Sequence, residues 1–103
     1  MRKEFKFRKI VYEGEEYSNY KFDFWENQVF SLYKKVYLKF NINPGGYYIV
    51  GLHKDNKVNF IFFHRLVYQM YNPKVDIKDK KIFHKNGNIK DNRIENLSLL
   101  TLP

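Results

Sequence analysis

The chain has no cysteine, which excludes disulfides and thiolate metal sites and fits an intracellular compartment. No apolar run approaches the roughly 20 residues that a membrane-spanning helix needs. The start, Met1-Arg2-Lys3-Glu4-Phe5-Lys6, lacks the apolar centre of a secretion signal. No internal repeat recurs at solenoid spacing. The expectation is a soluble, cytoplasmic protein with no membrane partner. Acidic residues are scarce as well: 11 Asp and Glu stand against 19 Lys and Arg, a net charge of +8 at pH 7.

What is present is aromatic and basic. Hydrophobic residues fill 44% of 103 positions, with nine tyrosines and ten phenylalanines, which excludes intrinsic disorder and allows one small domain with a modest core. The cations gather at two places. Arg2, Lys3, Lys6, Arg8 and Lys9 lie at the N-terminus, and Lys74, Lys78, Lys80, Lys81, Lys85, Lys90 and Arg93 lie near the C-terminus. Such clusters concentrate phosphate and give salt-sensitive binding, although lysine-rich surfaces are also common in chains from AT-rich genomes. Tyr12, Tyr17, Tyr20, Tyr33 and Tyr37 are candidates to stack on unpaired bases. Packing in a β-rich core is the plainer role for each.

Phe5 and Phe7 alternate with Lys6 and Arg8, a period of two that predicts a short strand or an extended basic arm over residues 1–16. Such an arm can lie along a DNA groove or pair with a sheet edge. Residues 17–73 read as a β-rich module. Within it, 20–24, 28–32 and 35–40 are β-compatible, and Asn41-Ile42-Asn43-Pro44-Gly45-Gly46 is a turn. A hairpin follows over 47–54 and 58–63, linked by Asp55-Asn56-Lys57. Leu66, Val67, Met70 and Tyr71 then recur at helical spacing, so 64–71 predicts a short amphipathic helix stopped by Asn72-Pro73. Residues 74–80 form a polar connection into a last hairpin over 74–103. The fold class is α+β: a small, mainly antiparallel β domain with one helix, compact as a whole.

The last hairpin carries the chemistry. His84 ends the run Lys81-Ile82-Phe83, an Asn/Gly/Asp-rich loop follows, and Asn96 sits twelve residues downstream, before Leu97-Ser98-Leu99-Leu100. A loop rich in side-chain amides can tie down its own backbone and hold one imidazole in a fixed orientation. The blander readings are a strand-end histidine bonded into a loop and an ordinary turn at Asn86-Gly87-Asn88. His64 reads as a helix-start residue that caps or packs, and His53, beside Lys54, as solvent-facing.

His84-x-x-Gly87-Asn88 followed by Asp91-Asn92-Arg93-Ile94-Glu95-Asn96-Leu97 resembles the core of HNH endonucleases of the phage and intron-homing type. Their shared element is the His-Me finger, a β-hairpin packed on a helix around one metal ion. His64-Arg65-Leu66-Val67 resembles the stretch before this core. Tyr17-Ser18-Asn19, Val29-Phe30-Ser31-Leu32 and Gly46-Tyr47-Tyr48-Ile49-Val50 resemble the N-terminal module often joined to it. The resemblance implies His84 as the general base that activates water, and Asn96 as the residue bracing the loop. It also places Phe83 where the family usually has an Asp or Asn metal ligand. A further ligand usually comes from a helix after the second strand, and with the sequence ending at Pro103 that helix is expected to be absent. The metal ligands are thus unknown; Asp91, Asn86 and Asn88 are the remaining oxygen donors.

The implied function is nucleic-acid binding, with DNA the expected partner, by a protein derived from an HNH homing-type endonuclease whose cleavage is weak or lost. Lys81, Lys85, Lys90, Arg93, Lys6 and Arg8 are the expected phosphate contacts. One alternative is an active nicking endonuclease with His84 as base and Mg²⁺ or Mn²⁺ as cofactor; without cleavage no cofactor is expected. Another is a small phage-type protein that binds a second protein. Target sequence, DNA against RNA, and oligomeric state are open at this point.

Overall fold

A computed structural model describes residues 5–100. The first sheet consists of β1 (Phe7–Tyr12), β2 (Glu15–Asp23), β3 (Gln28–Ser31) and β4 (Val36–Tyr37), antiparallel and in that order. The second consists of β5 (Asn41–Ile42), β6 (Tyr48–Lys54) and β7 (Lys57–Phe62), also antiparallel. Helix α1 (Phe63–Tyr71) follows at once, and β8 (Lys81–His84) pairs with β9 (Leu97–Leu100). This is the α+β, mainly antiparallel architecture with one helix that the sequence predicts. The helix expected to be absent concerns chain outside the described residues.

Local chemistry explains the turns. Asp55 and Asn56 both take positive φ, 53° and 62°, so Lys54 pairs with Lys57 across a two-residue turn of the kind that matches strand twist. The expected three-residue link is therefore shorter by one. At the β2–β3 turn the Asp23 side chain, 0% exposed, accepts from the Trp25 and Glu26 amides at 2.9 and 3.0 Å and from the Tyr37 hydroxyl. Asn27 closes that turn with φ 55°, a left-handed conformation that asparagine tolerates better than most residues.

Helix α1 exists because Phe63, Leu66, Val67 and Met70 share one buried face. That face meets Val50, Leu52 and Ile61 from the inner side of the second sheet and Ile10 and Phe22 from the first. Complete burial of a side chain such as Leu66 contributes about 2 kcal/mol by transfer from water. Asn72 ends the helix, its side-chain amide donating to the Tyr68 carbonyl at 2.9 Å, and Pro73 prevents continuation. Two buried tyrosines join the sheets. The Tyr20 hydroxyl accepts from the His53 amide at 2.9 Å and the Tyr17 hydroxyl from the Asn59 side chain at 3.0 Å.

One sequence expectation is narrowed and another needs correction. Over its described part the 1–16 segment takes the strand form of the two expected and pairs with a sheet edge. Strand β1 pairs along β2 and buries Ile10 while its neighbour Val11 stays exposed, as alternation in a sheet-edge strand requires. Met1 to Glu4 lie outside the described residues. The 74–80 connection is not simply polar: Ile77 is buried, and Arg65 donates to the Ile77 and Lys80 carbonyls at 2.8 and 2.6 Å.

Candidate active site

Strand β8 alternates, with Ile82 and His84 inward and Lys81 and Phe83 outward. This alternation positions His84 against the start of α1. The His84 and His64 rings lie 4.8 Å apart between centroids, and Tyr47 lies 5.5 Å from His64 and 6.2 Å from His84. Both histidines are buried, as is Asn92. His84 Nε2 sits 2.7 Å from the Asn92 amide oxygen. An amide oxygen only accepts, so this contact puts a proton on Nε2 and leaves Nδ1 as the nitrogen that holds the lone pair in the neutral form. That is the state a proton acceptor requires.

His64 differs in kind from His84. Burial, then coulombic repulsion from His84 and Arg65, pushes its pKa down to about 4, against a smaller upward pull from a bond with the Ile82 backbone. It packs a helix start, as expected, and lies directly beside His84, which the sequence does not disclose.

The loop between β8 and β9 is held by its own amides. Asn96 donates to the Asn86 side-chain oxygen and the Asp91 carbonyl, both at 2.9 Å, and accepts from the Asn86 amide at 3.1 Å. Asn86 Oδ1 also accepts from the Asn88 amide at 2.8 Å, and Asn88 Oδ1 accepts from the Lys90 amide at 3.1 Å. Gly87 takes φ 77° where the loop turns. Arg93 grips the Asp91 carboxylate with two bonds of 2.7 and 2.8 Å and holds its pKa well below the usual carboxylate range.

These bonds decide the fit to a divalent ion. Phe83, at the position where the resemblance implies a ligand, faces outward while His84 faces inward, Asp91 is neutralised by Arg93, and Asn86 and Asn88 accept backbone amides. Among the described residues no three His, Cys, Asp or Glu side chains gather into a metal-holding group. The donor set present does not fit a Mg²⁺-type ion, which needs several free oxygens.

Of the expected phosphate contacts, Lys81, Lys85, Lys90 and Arg93 are exposed around the loop. Lys6 and Arg8 are half-buried on and beside β1 in the first sheet, Lys6 with its ammonium 3.8 Å from Asp23 and Arg8 over the Phe5 ring at 4.8 Å. Among the stacking candidates Tyr17 and Tyr20 are core, Tyr12 and Tyr37 are half-buried with bonded hydroxyls, and Tyr33 is 87% exposed. Sequence reading passed over Asn92. Its signal is its place between Asp91 and Arg93, eight residues from His84, in a loop otherwise knotted by amides.

A profile of HNH endonucleases matches residues 62–102, which take in α1, the 84–96 loop and its two strands. Among solved structures the chain is similar to one from a study of DNA binding and cleavage by the HNH homing endonuclease I-HmuI. The match has 28% identity and a TM-score of 0.75 and covers 94% of this chain and 53% of that one. The present chain therefore spans about half the length of that protein. No curated protein sequence gives a match. No helix among the described residues is long and apolar enough to cross a membrane. Residues 62–102, with the His84–Asn96 loop on its hairpin, thus match the HNH endonuclease family, and the fold resembles that of an HNH homing endonuclease across nearly the whole described length.

Proposed function

We propose that this chain is a DNA-binding HNH domain with its general base set in place and its cleavage weak or lost. The observation that carries this reading is the contrast within one strand. His84 is buried and bonded to Asn92, while Phe83 next to it faces outward at the ligand position. His84 Nδ1 can take a proton from a water that attacks a phosphodiester. The charge that then develops on phosphate and leaving oxygen is the part a divalent ion would neutralise, and residues 5–100 hold no group of three His, Cys, Asp or Glu side chains to bind one. A second reading, metal-dependent nicking, is favoured by the same His84–Asn92 bond, because a pure binding surface has no use for a fixed imidazole tautomer.

DNA as the partner is supported by the +8 charge, by the exposed cations around the loop, and by the activity of the similar homing endonuclease. Binding should be salt-sensitive. Fluorescence anisotropy of a labelled duplex across a salt series should give a linear log–log plot. Replacing Lys81, Lys85 and Lys90 together by Ala should reduce its slope by about 0.9 for each phosphate that is no longer neutralised. An unchanged slope in the triple variant would remove the loop from the DNA interface.

A further inference from the structure

We infer that Asn27, from the first sheet, is a positioning residue for His84, acting through Asn92. Its amide nitrogen donates to the Asn92 main-chain carbonyl at 2.9 Å, across 65 residues of sequence. The Asn92 side chain, in turn, accepts from His84 Nε2 at 2.7 Å. Two successive carbonyls of the loop are thereby fixed by amides from different elements: Asp91 by Asn96 at 2.9 Å, and Asn92 by Asn27. Asn96 is local to the loop. Asn27 ties the loop to a turn that is itself held, since Asp23 binds the Trp25 and Glu26 amides that precede Asn27.

The geometry has a direct chemical meaning. An imidazole whose Nε2–H is given to a fixed acceptor keeps one tautomer, and its free nitrogen stays on one side. Asn92 is fixed only as well as its backbone is fixed. Its side-chain bond to His84 and its main-chain bond to Asn27 leave from one residue, so a shift of that carbonyl moves the amide oxygen that orients the ring. The first sheet thus sets the tautomer of a base carried by the last hairpin. This rests on the proposed role of His84 as base, but the tautomer itself can be read whether or not the chain cleaves DNA.

The test uses the full chain with Asn27→Gly and Asn27→Asp. Glycine and aspartate both accept the left-handed φ of 55°, and neither side chain offers the N–H that Asn92 receives. Long-range proton–nitrogen NMR spectra at about pH 8, above the ordinary histidine range, report the tautomer of each imidazole. Wild-type His84 should show the Nε2–H pattern, and both variants a mixture of tautomers at an unchanged fold. Where nicking is measurable, its kcat should fall about tenfold with duplex affinity unchanged, the expected penalty for a loosened orienting group. Should the added charge of Asn27→Asp disturb folding, Asn27→Gly decides. An undiminished Nε2–H pattern in a folded variant overturns the inference, as does wild-type His84 lacking that pattern. Absent nicking with the tautomer shift present would count against the second reading, metal-dependent nicking, and for the positioning by Asn27.

Discussion

Asn96→Ala is expected to lower stability by about 3 kcal/mol, the upper range for breaking a buried polar network. Asn96 is 5% exposed, and its side-chain amide makes three bonds, to Asn86 Oδ1, the Asp91 carbonyl and the Asn86 N–H. Alanine leaves the last two without their partner at part-buried positions. For a domain of this length the melting temperature should fall by roughly 12–20 °C. Asn96→Asp keeps the acceptor for Asn86 N–H but sets a carboxylate oxygen against the Asn86 Oδ1 and Asp91 carbonyl oxygens, so it should destabilise at least as much as alanine. A melting temperature within a few degrees of wild type for Asn96→Ala would mean the loop is held chiefly by Arg93 and Asp91.

The second large effect is on pH dependence and comes from His64. In the unfolded chain a histidine takes a proton as pH falls through about 6.5. In the fold His64 does so only at about 4, because burial, and coulombic repulsion from His84 and Arg65, disfavour its cation. Between those values the unfolded state binds the extra proton, so stability rises with pH and is lost as pH falls. Above 6.5 the contribution is flat. With allowance for screening at a site that is not fully closed, the loss from pH 7 to 4 is about 2 kcal/mol. His64→Phe keeps a ring beside Tyr47 and Phe62 and removes the titration. Urea unfolding at pH 7 and about pH 4.5 should therefore show a smaller loss for His64→Phe than for wild type. Equal losses would place the proton uptake elsewhere.

How much of this was legible depends on distance along the chain. The β6–β7 hairpin and α1 could be read because their signals are local: Asp55-Asn56 for the turn, Leu66, Val67 and Met70 for the helix face. The amide-rich loop and its His84 and Asn96 were visible for the same reason. Strand β1 was ambiguous, since Phe5 to Arg8 alternates equally well as an arm or an edge strand, and only the register with β2 decides. Ile77 is, with Val75, one of two apolar residues among lysines and aspartates, and nothing adjacent to it announces that α1 and Arg65 will enclose it. Lys6 looked like a free phosphate contact, yet it lies beside Asp23, seventeen positions away in sequence. Asn27, Asn92 and the His64–His84 pair are the extreme case, because their meaning lies wholly in tertiary contacts.

The same contacts explain why charge and motif alone did not define the site. Arg93 is exposed and basic, but its guanidinium is committed to Asp91, so what it offers phosphate is the charge left over from an ion pair. Asp91 looked like a substitute ligand and is held by Arg93 instead. The residues that make the motif recognisable are largely those that fold the loop.

The most direct measurement incubates supercoiled plasmid with the chain at low salt, with Mg²⁺, with Mn²⁺ and with EDTA, alongside His84→Ala. Half of each sample runs native and half after protein removal. The account predicts a shift of the native plasmid by both proteins and little or no metal-dependent nicking by either. Rapid nicking that needs the metal and disappears in His84→Ala would contradict it, and would show that this chain completes a metal site with donors other than those the loop presents.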